Sequence, residues 1–343
     1  MNKPLISVVL PVFNSQDFLQ ETLKSISAQT WQNLELIAIN DGSTDGSLKI
    51  LNDYAANEPR LKIISRENRG LARTLNEGIA AAQGEWIARI DADDIALPER
   101  FARQIEWAEK SQADVCGGAI ERIGVTGKHS WNFPTSDEGI CTWLLFRPAF
   151  SHPAVIIRRE TVLKYPYDES YAHAQDYELW TRLALNRIRM TNLPETVLKY
   201  RIHDKQISYA KRSRQIDLRM KITSNYWQKS PLTHDMKFVP CLLDEREPIT
   251  EENFKSVFKS LKTLESRVSD EQAIAAIDYH RIWFVYRSIN LGPRIILPAL
   301  KKLRTSMLKR FTVATLSTLK AGRVIGYFRN ADWVRNLPIK WLF

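Results

Sequence analysis

The chain lacks several features that would place it in common classes of protein. Its three cysteines, Cys116, Cys141 and Cys241, are too few and too widely spaced for a zinc site or a disulfide framework, which favours a reducing compartment. No apolar run approaches the roughly 18 residues that a membrane-spanning helix needs, and no signal-peptide cleavage pattern follows the first residues. Neither G-x-G-x-x-G nor G-x-x-x-x-G-K-[ST] occurs, so dinucleotide-binding and P-loop proteins lose their main motifs.

Positive charge is concentrated near the C-terminal end. The 343 residues carry a net charge of +10, and residues 281–343 hold thirteen Lys and Arg against a single acid, Asp332. In residues 296–311 apolar side chains recur every three or four positions between basic ones, and Trp283, Trp333 and Trp341 lie in the same region. This pattern favours binding to an anionic membrane surface. The alternative is a helix packed on the protein with a solvated basic face.

The first 200 residues are mildly acidic, so no nucleic-acid partner is expected. Strand and helix signals alternate along the first 120 of them. The predicted strands are 5–10, 34–39, 61–64, 86–90 and 115–120. The predicted helices are 17–29, 47–56, 70–82 and 98–110. Strands separated by helices of this length predict an α/β fold with a parallel sheet and right-handed crossovers.

Beyond residue 210 the pattern is mainly helical. Residues 211–227 and 249–289 have helical periodicity, and the polar segment 231–248 with its prolines is expected to be a linker. The sequence therefore predicts a catalytic domain over residues 1–210, followed by a basic helical extension over 211–343.

The turns after three predicted strands collect polar side chains. They are residues 11–14, 40–46 and 91–94. Because parallel strands share their carboxyl edge, Asp41 is expected to approach Asp91 and Asp93. Carboxylate oxygens alone suit a hard divalent cation such as Mg²⁺ or Mn²⁺, and such a cation suits a diphosphate. This edge is therefore predicted to bind a nucleotide-linked substrate.

Two of these turns also allow other interpretations. The Asp41 loop matches the first half of a calcium-binding EF-hand loop, but its twelfth position is Asn52 and it follows a strand. It could also be a plain turn with a helix N-cap at Ser43 or Thr44. Asp94 is expected to cap the next helix; the alternative is that it supports the water shell of a metal ion.

Taken together, five segments resemble family-2 glycosyltransferases of the bacterial surface-polysaccharide type. They are Leu10-Pro11-Val12-Phe13-Asn14, Asn40-Asp41-Gly42-Ser43-Thr44-Asp45, Asn68-Arg69-Gly70, Asp91-Ala92-Asp93-Asp94 and Gln175-Asp176. They stand in the family's order, and the resemblance covers residues 4–205. It implies the GT-A fold, a Rossmann-like and mostly parallel sheet flanked by helices, and inversion of the transferred sugar.

The resemblance also implies a set of donor-binding residues. The set is Pro11, Phe13, Asn14, Asp41, Asn68, Arg69, Arg73, Asp91, Ala92 and Asp93. In it the 11–14 turn and Asp41 would hold uracil, with the Asp41 carboxylate accepting from the ring N–H. Asp91 would hold the ribose, and Asp93 would bind the Mn²⁺ or Mg²⁺ that bridges the diphosphate. Arg73 could instead be a surface helix residue.

Asp176 is the candidate general base. An apolar helical face begins just after it, and a carboxylate in the first turn of a helix is favoured as the anion. Family members often have Glu before this Asp, whereas this chain has Gln175, which removes one charge beside the base. Glu178 is the nearest alternative base.

Two histidines are further candidates. His203 ends a Tyr-Arg-x-His stretch that resembles the family pattern, and it would complete the metal shell; the alternative is a surface loop histidine. His152 is expected to be structural, with a place on the acceptor side as the alternative.

The resemblance implies transfer of a hexose or N-acetylhexosamine from a UDP-linked donor to a hydroxyl of a lipid-linked glycan. The site would be cytoplasmic, on a protein held peripherally at the inner face of the cell membrane. Two alternatives stay open: a metal-dependent nucleotidyltransferase, although residues 10–14 are not its usual Gly-rich phosphate loop, and a non-catalytic nucleotide binder whose basic tail binds nucleic acid or membrane.

Overall fold

The computed structural model describes residues 3–124, 129–203, 212–288, 291 and 294–295. These residues fall into two compact units, one ending at Ile222 and the other beginning at Thr223. The domain boundary expected after residue 210 stays a prediction. The basic amphipathic segment 296–311 lies outside the described residues, as do Trp333 and Trp341.

In the described part of the chain, nine strands form one sheet in the first unit. They are β1 Ile6–Val12, β2 Leu34–Asp41, β3 Leu61–Arg66, β4 Trp86–Arg89, β5 Ile95–Ala96, β6 Val115–Ile123, β7 His129–Trp131, β8 Ile156–Arg158 and β9 Met190–Arg201. Their order is β3-β2-β1-β4-β8-β6-β9-β5, with β7 paired to β6. The longest ladders, β1 with β2 and β6 with β9, are parallel, so the sheet is mostly parallel as predicted.

Helices flank this sheet and continue into the second unit. Those of the first unit are α1 Leu19–Ser27, α2 Ser47–Ala55, α3 Leu71–Ala81, α4 Arg100–Ser111, α5 Asp137–Trp143, α6 Arg159–Lys164 and α7 Gln175–Leu185. Helix α8 spans Arg212–Lys229, and α9 Glu251–Glu265 and α10 Glu271–Arg287 follow it. Short 3₁₀ turns cover His152–Ala154, Glu169–Tyr171 and Pro240–Leu242.

The core of the first unit forms around central strands that are buried along nearly their whole length and are mainly apolar. Every residue of β2 is buried, and β1 is buried apart from partial exposure at Pro11. Strand β1 pairs in parallel with β2 on one side and with β4 on the other. The carboxyl ends of these three strands therefore lie side by side, which places the turns after them at one edge.

The structure differs from the sequence prediction at β8. This short strand lies antiparallel between β4 and β6, with Ile87 and Val115 both opposite Ile157. Strands β4 and β6 still run in the same direction, but they are not direct neighbours. The sequence showed an apolar run at 154–157 without revealing where it pairs.

One helix start and the expected linker also differ from the sequence prediction. Helix α4 begins at Arg100 rather than at residue 98, because β5 comes first and pairs with β9. The segment expected to be a linker contains the buried side chains of Cys241 and Leu242, so it is packed.

The C-terminal unit is helical, as predicted. Phe254 of α9 stacks on Phe284 of α10 with 5.7 Å between ring centroids, and the buried Arg281 pairs with Glu265 and Asp278. Across the described residues we find no helix with the length and apolar character needed to cross a membrane.

Candidate active site

The turns after β1 and β2 bind each other through Asn14. Its backbone N–H donates to Ser43 Oγ at 3.1 Å, and its Oδ1 accepts from the Thr44 N–H at 2.9 Å. Asn14 has a φ of 50°, in the left-handed region that asparagine tolerates better than most residues. Phe13, beside it, is 48% exposed. The turn of residues 11–14, predicted to hold the nucleobase, is thus held by hydrogen bonds to the turn after β2 and exposes an aromatic ring to solvent.

Asp41, at the end of β2, is buried and accepts from three donors. The backbone N–H groups of Arg69 and Gly70 donate to its carboxylate at 2.7 Å and 3.1 Å, and Arg66 forms an ion pair with it. The Asn68 side-chain amide donates to the Asp41 backbone carbonyl at 2.9 Å. A carboxylate offers about four acceptor positions, so about one is left for a ligand. The contact of Asp41 with uracil stays a prediction, and the Asp41 carboxylate has about one free acceptor position with which to make it.

The predicted Asn68, Arg69 and Arg73 all lie near the start of α3 and are exposed. The Arg69 side chain is 3.6 Å from a carboxylate oxygen of Glu67. Their predicted contacts with a nucleotide stay predictions.

The three aspartates after β4 come together. One carboxylate oxygen from each of Asp91, Asp93 and Asp94 lies within 4.8 Å of the others, while Ala92 between them is buried. Burial, opposed by the ion pair with Arg89, raises the pKa of Asp91 to about 6. Burial also raises the pKa of Asp94 well above its usual value. Crowded carboxylates disfavour one another's charge, and a divalent cation with oxygen ligands relieves this. The residues present fit such an ion.

Asp94 does not cap the next helix, so that prediction was wrong. The N-cap position of α4 is Glu99, and β5 lies between Asp94 and the helix. Asp94 Oδ1 instead accepts the backbone N–H of Arg201 at 2.9 Å, and the Arg201 Nε donates to the Asp93 carbonyl at 2.9 Å. The end of β9 therefore fixes the acidic turn.

His203 lies against the same turn. Its Nε2 is 2.9 Å from Asp93 Oδ2, and its ring lies 5.0 Å from that of Phe18. The structure thus brings together the two residues predicted to bind the metal, although metal binding by either stays a prediction.

Asp176 is the second residue of α7. Burial raises the pKa of its carboxyl, and the charge of Arg89 partly offsets this. The charge of Asp176 in turn contributes to raising the pKa of Asp91, after burial and Asp93, so the two carboxyls interact electrostatically. Glu178 accepts from Arg182 Nε and Nη2, each at 2.8 Å. The alternative base is therefore engaged in its own helix.

His152 is buried and shares a 2.8 Å hydrogen bond between its Nε2 and the Tyr167 hydroxyl. Burial, with the nearby charge of Arg89, holds its pKa well below the usual range, so the ring is neutral. It also packs edge-on against Trp180, with centroids 6.1 Å apart. These contacts are those of the expected structural residue.

Three arginines at the site were missed by sequence reasoning. They are Arg66, Arg89 and Arg201, which bind Asp41, Asp91 and the Asp93–Asp94 turn. The signal for Arg89 was available, since a cation stands inside the otherwise apolar run of residues 86–90. A charge in a buried strand indicates a partner at its end.

Comparison with known proteins identifies the family. Residues 7–163 match the model for Glycosyl transferase family 2. An uncharacterized glycosyltransferase of Haemophilus influenzae is 33% identical over 60% of this chain and 68% of its own length. The O-antigen biosynthesis glycosyltransferase WbnJ of Escherichia coli is 31% identical over 59% of this chain and 81% of its own. The chain belongs to glycosyltransferase family 2, as the sequence motifs predicted.

Solved structures show the same fold. One is the crystal structure of S. aureus TarS 1–349 in complex with UDP-GlcNAc. It superposes on this chain with a TM-score of 0.55 and 17% sequence identity, and the match covers 94% of this chain and 92% of the TarS chain. The mannosyltransferase PcManGT of Pyrobaculum calidifontis, solved with GDP-Man and Mn²⁺, is 18% identical, covers 96% and 84%, and has a TM-score of 0.54. The predicted GT-A fold is confirmed, and the protein is a glycosyltransferase.

Proposed function

We propose that this glycosyltransferase moves a hexose or N-acetylhexosamine from a UDP-linked donor to a glycan hydroxyl, with inversion at the transferred carbon. The observation that carries the proposal is the cluster of Asp91, Asp93 and Asp94, together with the separate buried carboxyl of Asp176, whose charge contributes to raising the pKa of Asp91. One metal-binding carboxylate cluster and one separate carboxylate are the two groups that such a displacement needs.

The donor is assigned from the loops at the carboxyl edge of the sheet. The exposed Phe13 ring offers a surface on which a base can stack, and Asp41 keeps about one acceptor position beside it. Relatives of similar fold were crystallised with UDP-GlcNAc and with GDP-Man, which supports a nucleotide sugar as the donor class.

Asp93 and His203 are the residues proposed to hold Mn²⁺ or Mg²⁺, because their ligand atoms are only 2.9 Å apart. The bound cation would neutralise the charge that develops on the departing diphosphate. PcManGT was solved with Mn²⁺, which supports a divalent cation in this fold.

Asp176 is proposed as the general base that takes the proton from the acceptor hydroxyl. Its place in the first turn of α7 favours the anion, while burial makes that anion more basic than an exposed aspartate. A base on one side and a leaving group on the other give a single in-line displacement, which inverts the sugar.

The acceptor is proposed to be a lipid-linked glycan in surface polysaccharide synthesis, reached at the cytoplasmic face of the membrane. Two observations support this: the relation to an O-antigen biosynthesis enzyme, and the basic residues 281–343 that would bind anionic lipid.

The test is release of nucleoside diphosphate from a panel of nucleotide sugars, with Mn²⁺ or Mg²⁺ and the purified protein. UDP-Glc, UDP-Gal, UDP-GlcNAc, UDP-GalNAc and GDP-Man form the panel, and binding of each is measured by calorimetry. Hydrolysis of one UDP-sugar that stops on chelation and in Asp93→Ala supports the proposal. Selective binding of GDP-Man would correct the base, and binding of no donor would overturn the proposal.

A further inference from the structure

Arg89 is a buried cation with unused hydrogen-bond donors. It is the last residue of β4, its side chain is 7% exposed, and its Nη2 pairs with Asp91. Its Nε and Nη1 are buried and have no hydrogen-bond partner among the described residues. Buried donors are rarely left unpaired because they lose their hydrogen bonds to water, so these two indicate a ligand that supplies oxygen acceptors.

The charge of Arg89 acts on several other buried groups of the site. After burial, its charge is the next influence that lowers the pKa of His152 and one of those that restrain the pKa of Asp176. It also acts against the burial that raises the pKa of Tyr167. The guanidinium therefore pairs with Asp91, the predicted ribose residue, and affects the pKa of Asp176, the candidate base. The His152 Nε2 and the Tyr167 hydroxyl bind each other rather than Arg89.

The backbone of Arg89 is held on both sides. Its N–H donates to the Val155 carbonyl at 3.0 Å, and its carbonyl accepts from Nη2 of the fully buried Arg100 at 2.7 Å. The side chain is thus presented from a rigid strand end, as geometric recognition requires. In a planar guanidinium the Nε–H and Nη1–H bonds point in different fixed directions, so these two donors select acceptors at two separate positions.

We infer that Arg89 determines donor specificity by donating from Nε and Nη1 to hydroxyl oxygens of the transferred sugar. This rests on the proposed function, in which the diphosphate lies at Asp93 and the acceptor at Asp176. The sugar then lies between those two positions, beside Asp91, with which Arg89 pairs. A phosphate oxygen of the donor is the competing ligand for the same donors.

The test compares a nucleotide sugar with its nucleoside diphosphate by calorimetry, using the sugar that the wild-type protein binds from the donor panel. Arg89→Lys keeps the positive charge and removes the planar set of donors to which Nε and Nη1 belong. We expect it to weaken the nucleotide sugar on the order of 10- to 100-fold and the nucleoside diphosphate by less than about twofold. Arg158→Lys is the matched control, because Arg158 ends β8 and pairs with Glu85 and Asp114 away from the cleft. It should change neither affinity.

Equal weakening of both ligands by Arg89→Lys would show that Arg89 acts on the nucleotide, at the diphosphate or through Asp91 at the ribose, and would overturn the inference. No weakening of either ligand would overturn it as well. Should Arg89→Lys fail to fold, Arg89→Gln replaces it. The variant and the wild-type protein are then both tested with nucleotide sugars that lack one hydroxyl of the sugar, which answers the same question. One missing hydroxyl should weaken wild-type binding on the order of 10-fold, and it should matter little in the variant. If the wild-type protein binds none of the nucleotide sugars in the panel, the result counts against the proposed function itself rather than against the role of Arg89.

Discussion

The Asp94 carboxylate accepts the backbone N–H of Arg201 at 2.9 Å, which ties the turn after β4 to the end of β9. Because Asp94 is fully buried, this bond is made away from water, and losing it leaves an unpaired buried donor. The same strand end donates from Arg201 Nε to the Asp93 carbonyl. The acidic turn is therefore held in place by a segment more than a hundred residues away in the sequence.

We predict that Asp94→Ala is less stable than Asp94→Asn by about 1–3 kcal/mol in free energy of unfolding. Asparagine keeps an acceptor oxygen for the Arg201 N–H and removes the charge that burial disfavours, whereas alanine leaves the N–H unpaired. Urea unfolding of both variants measures the difference. Equal midpoints would show that the hydrogen bond contributes little to the fold.

Glycines 42 and 70 give a matched pair for the loops around Asp41. Both have positive φ, +72° and +84°, so alanine at either is strained by about 1–2 kcal/mol. A Cβ at Gly42 would also lie 2.6 Å from the Asn68 backbone nitrogen, whereas one at Gly70 meets nothing within 4 Å. We therefore expect Gly42→Ala to lower the free energy of unfolding more than Gly70→Ala, measured by urea unfolding. The reverse order would mean that the 67–68 backbone moves aside easily.

Asp93 provides the prediction for the cation. Asp93→Asn should weaken Mn²⁺ binding and, with it, metal-dependent donor binding by at least about 10-fold, because a charged ligand is lost. Calorimetry with Mn²⁺ alone and then with donor separates the two effects. Asp53→Asn is the control, since Asp53 is an exposed residue of α2 that pairs with Lys49. Unchanged Mn²⁺ affinity in Asp93→Asn would exclude Asp93 as a ligand.

Much of this site could be predicted from sequence because parallel strands share an edge. The turns that hold Asp41 and Asp91 lie at the same edge of the sheet since β2 and β4 both pair with β1, and apolar strand runs reveal that arrangement. The pairing of Asp94 with Arg201 could not be found this way, because no local pattern encodes a contact between a turn and a distant strand end. The β8 insertion was hidden for the same reason: a strand of only three residues, Ile156-Ile157-Arg158, carries no information on its neighbours.

The basic C-terminal region leads to a membrane prediction. The protein should co-sediment with phosphatidylcholine vesicles that contain phosphatidylglycerol, and less with phosphatidylcholine alone, because each basic residue near an anionic surface contributes about 1 kcal/mol. Binding should fall as salt rises. Replacing Lys301, Lys302 and Arg304 with Gln should then weaken binding by roughly 100-fold.

A control for that variant replaces three exposed lysines of the first unit, Lys24, Lys49 and Lys110, with Gln. It removes the same charge elsewhere and should leave vesicle binding nearly unchanged. Equal loss in both variants would mean that net charge, rather than the C-terminal region, drives the association.

Asp176 gives a prediction about pH. The base acts as the anion, so turnover at saturating donor should fall as pH drops through its pKa in the folded protein. Burial raises that pKa, which moves the acid limb of kcat above the pH expected for an exposed aspartate of pKa about 3.9. The pH dependence of kcat reports groups that titrate in the enzyme–substrate complex. Titration of Asp91 in the free protein would instead alter donor binding.

Asp176→Asn should lower kcat by about 100-fold or more and leave donor affinity within about twofold, because only the proton acceptor is lost. At neutral pH the variant should also unfold at the same or a higher temperature than the wild-type protein, because a neutral amide replaces a desolvated anion. This difference in unfolding temperature should vanish in acid, where the wild-type carboxyl is protonated. Glu178→Gln is the control: it breaks the pair with Arg182 and should lower stability without abolishing turnover. Full activity in Asp176→Asn would transfer the role of base to another residue.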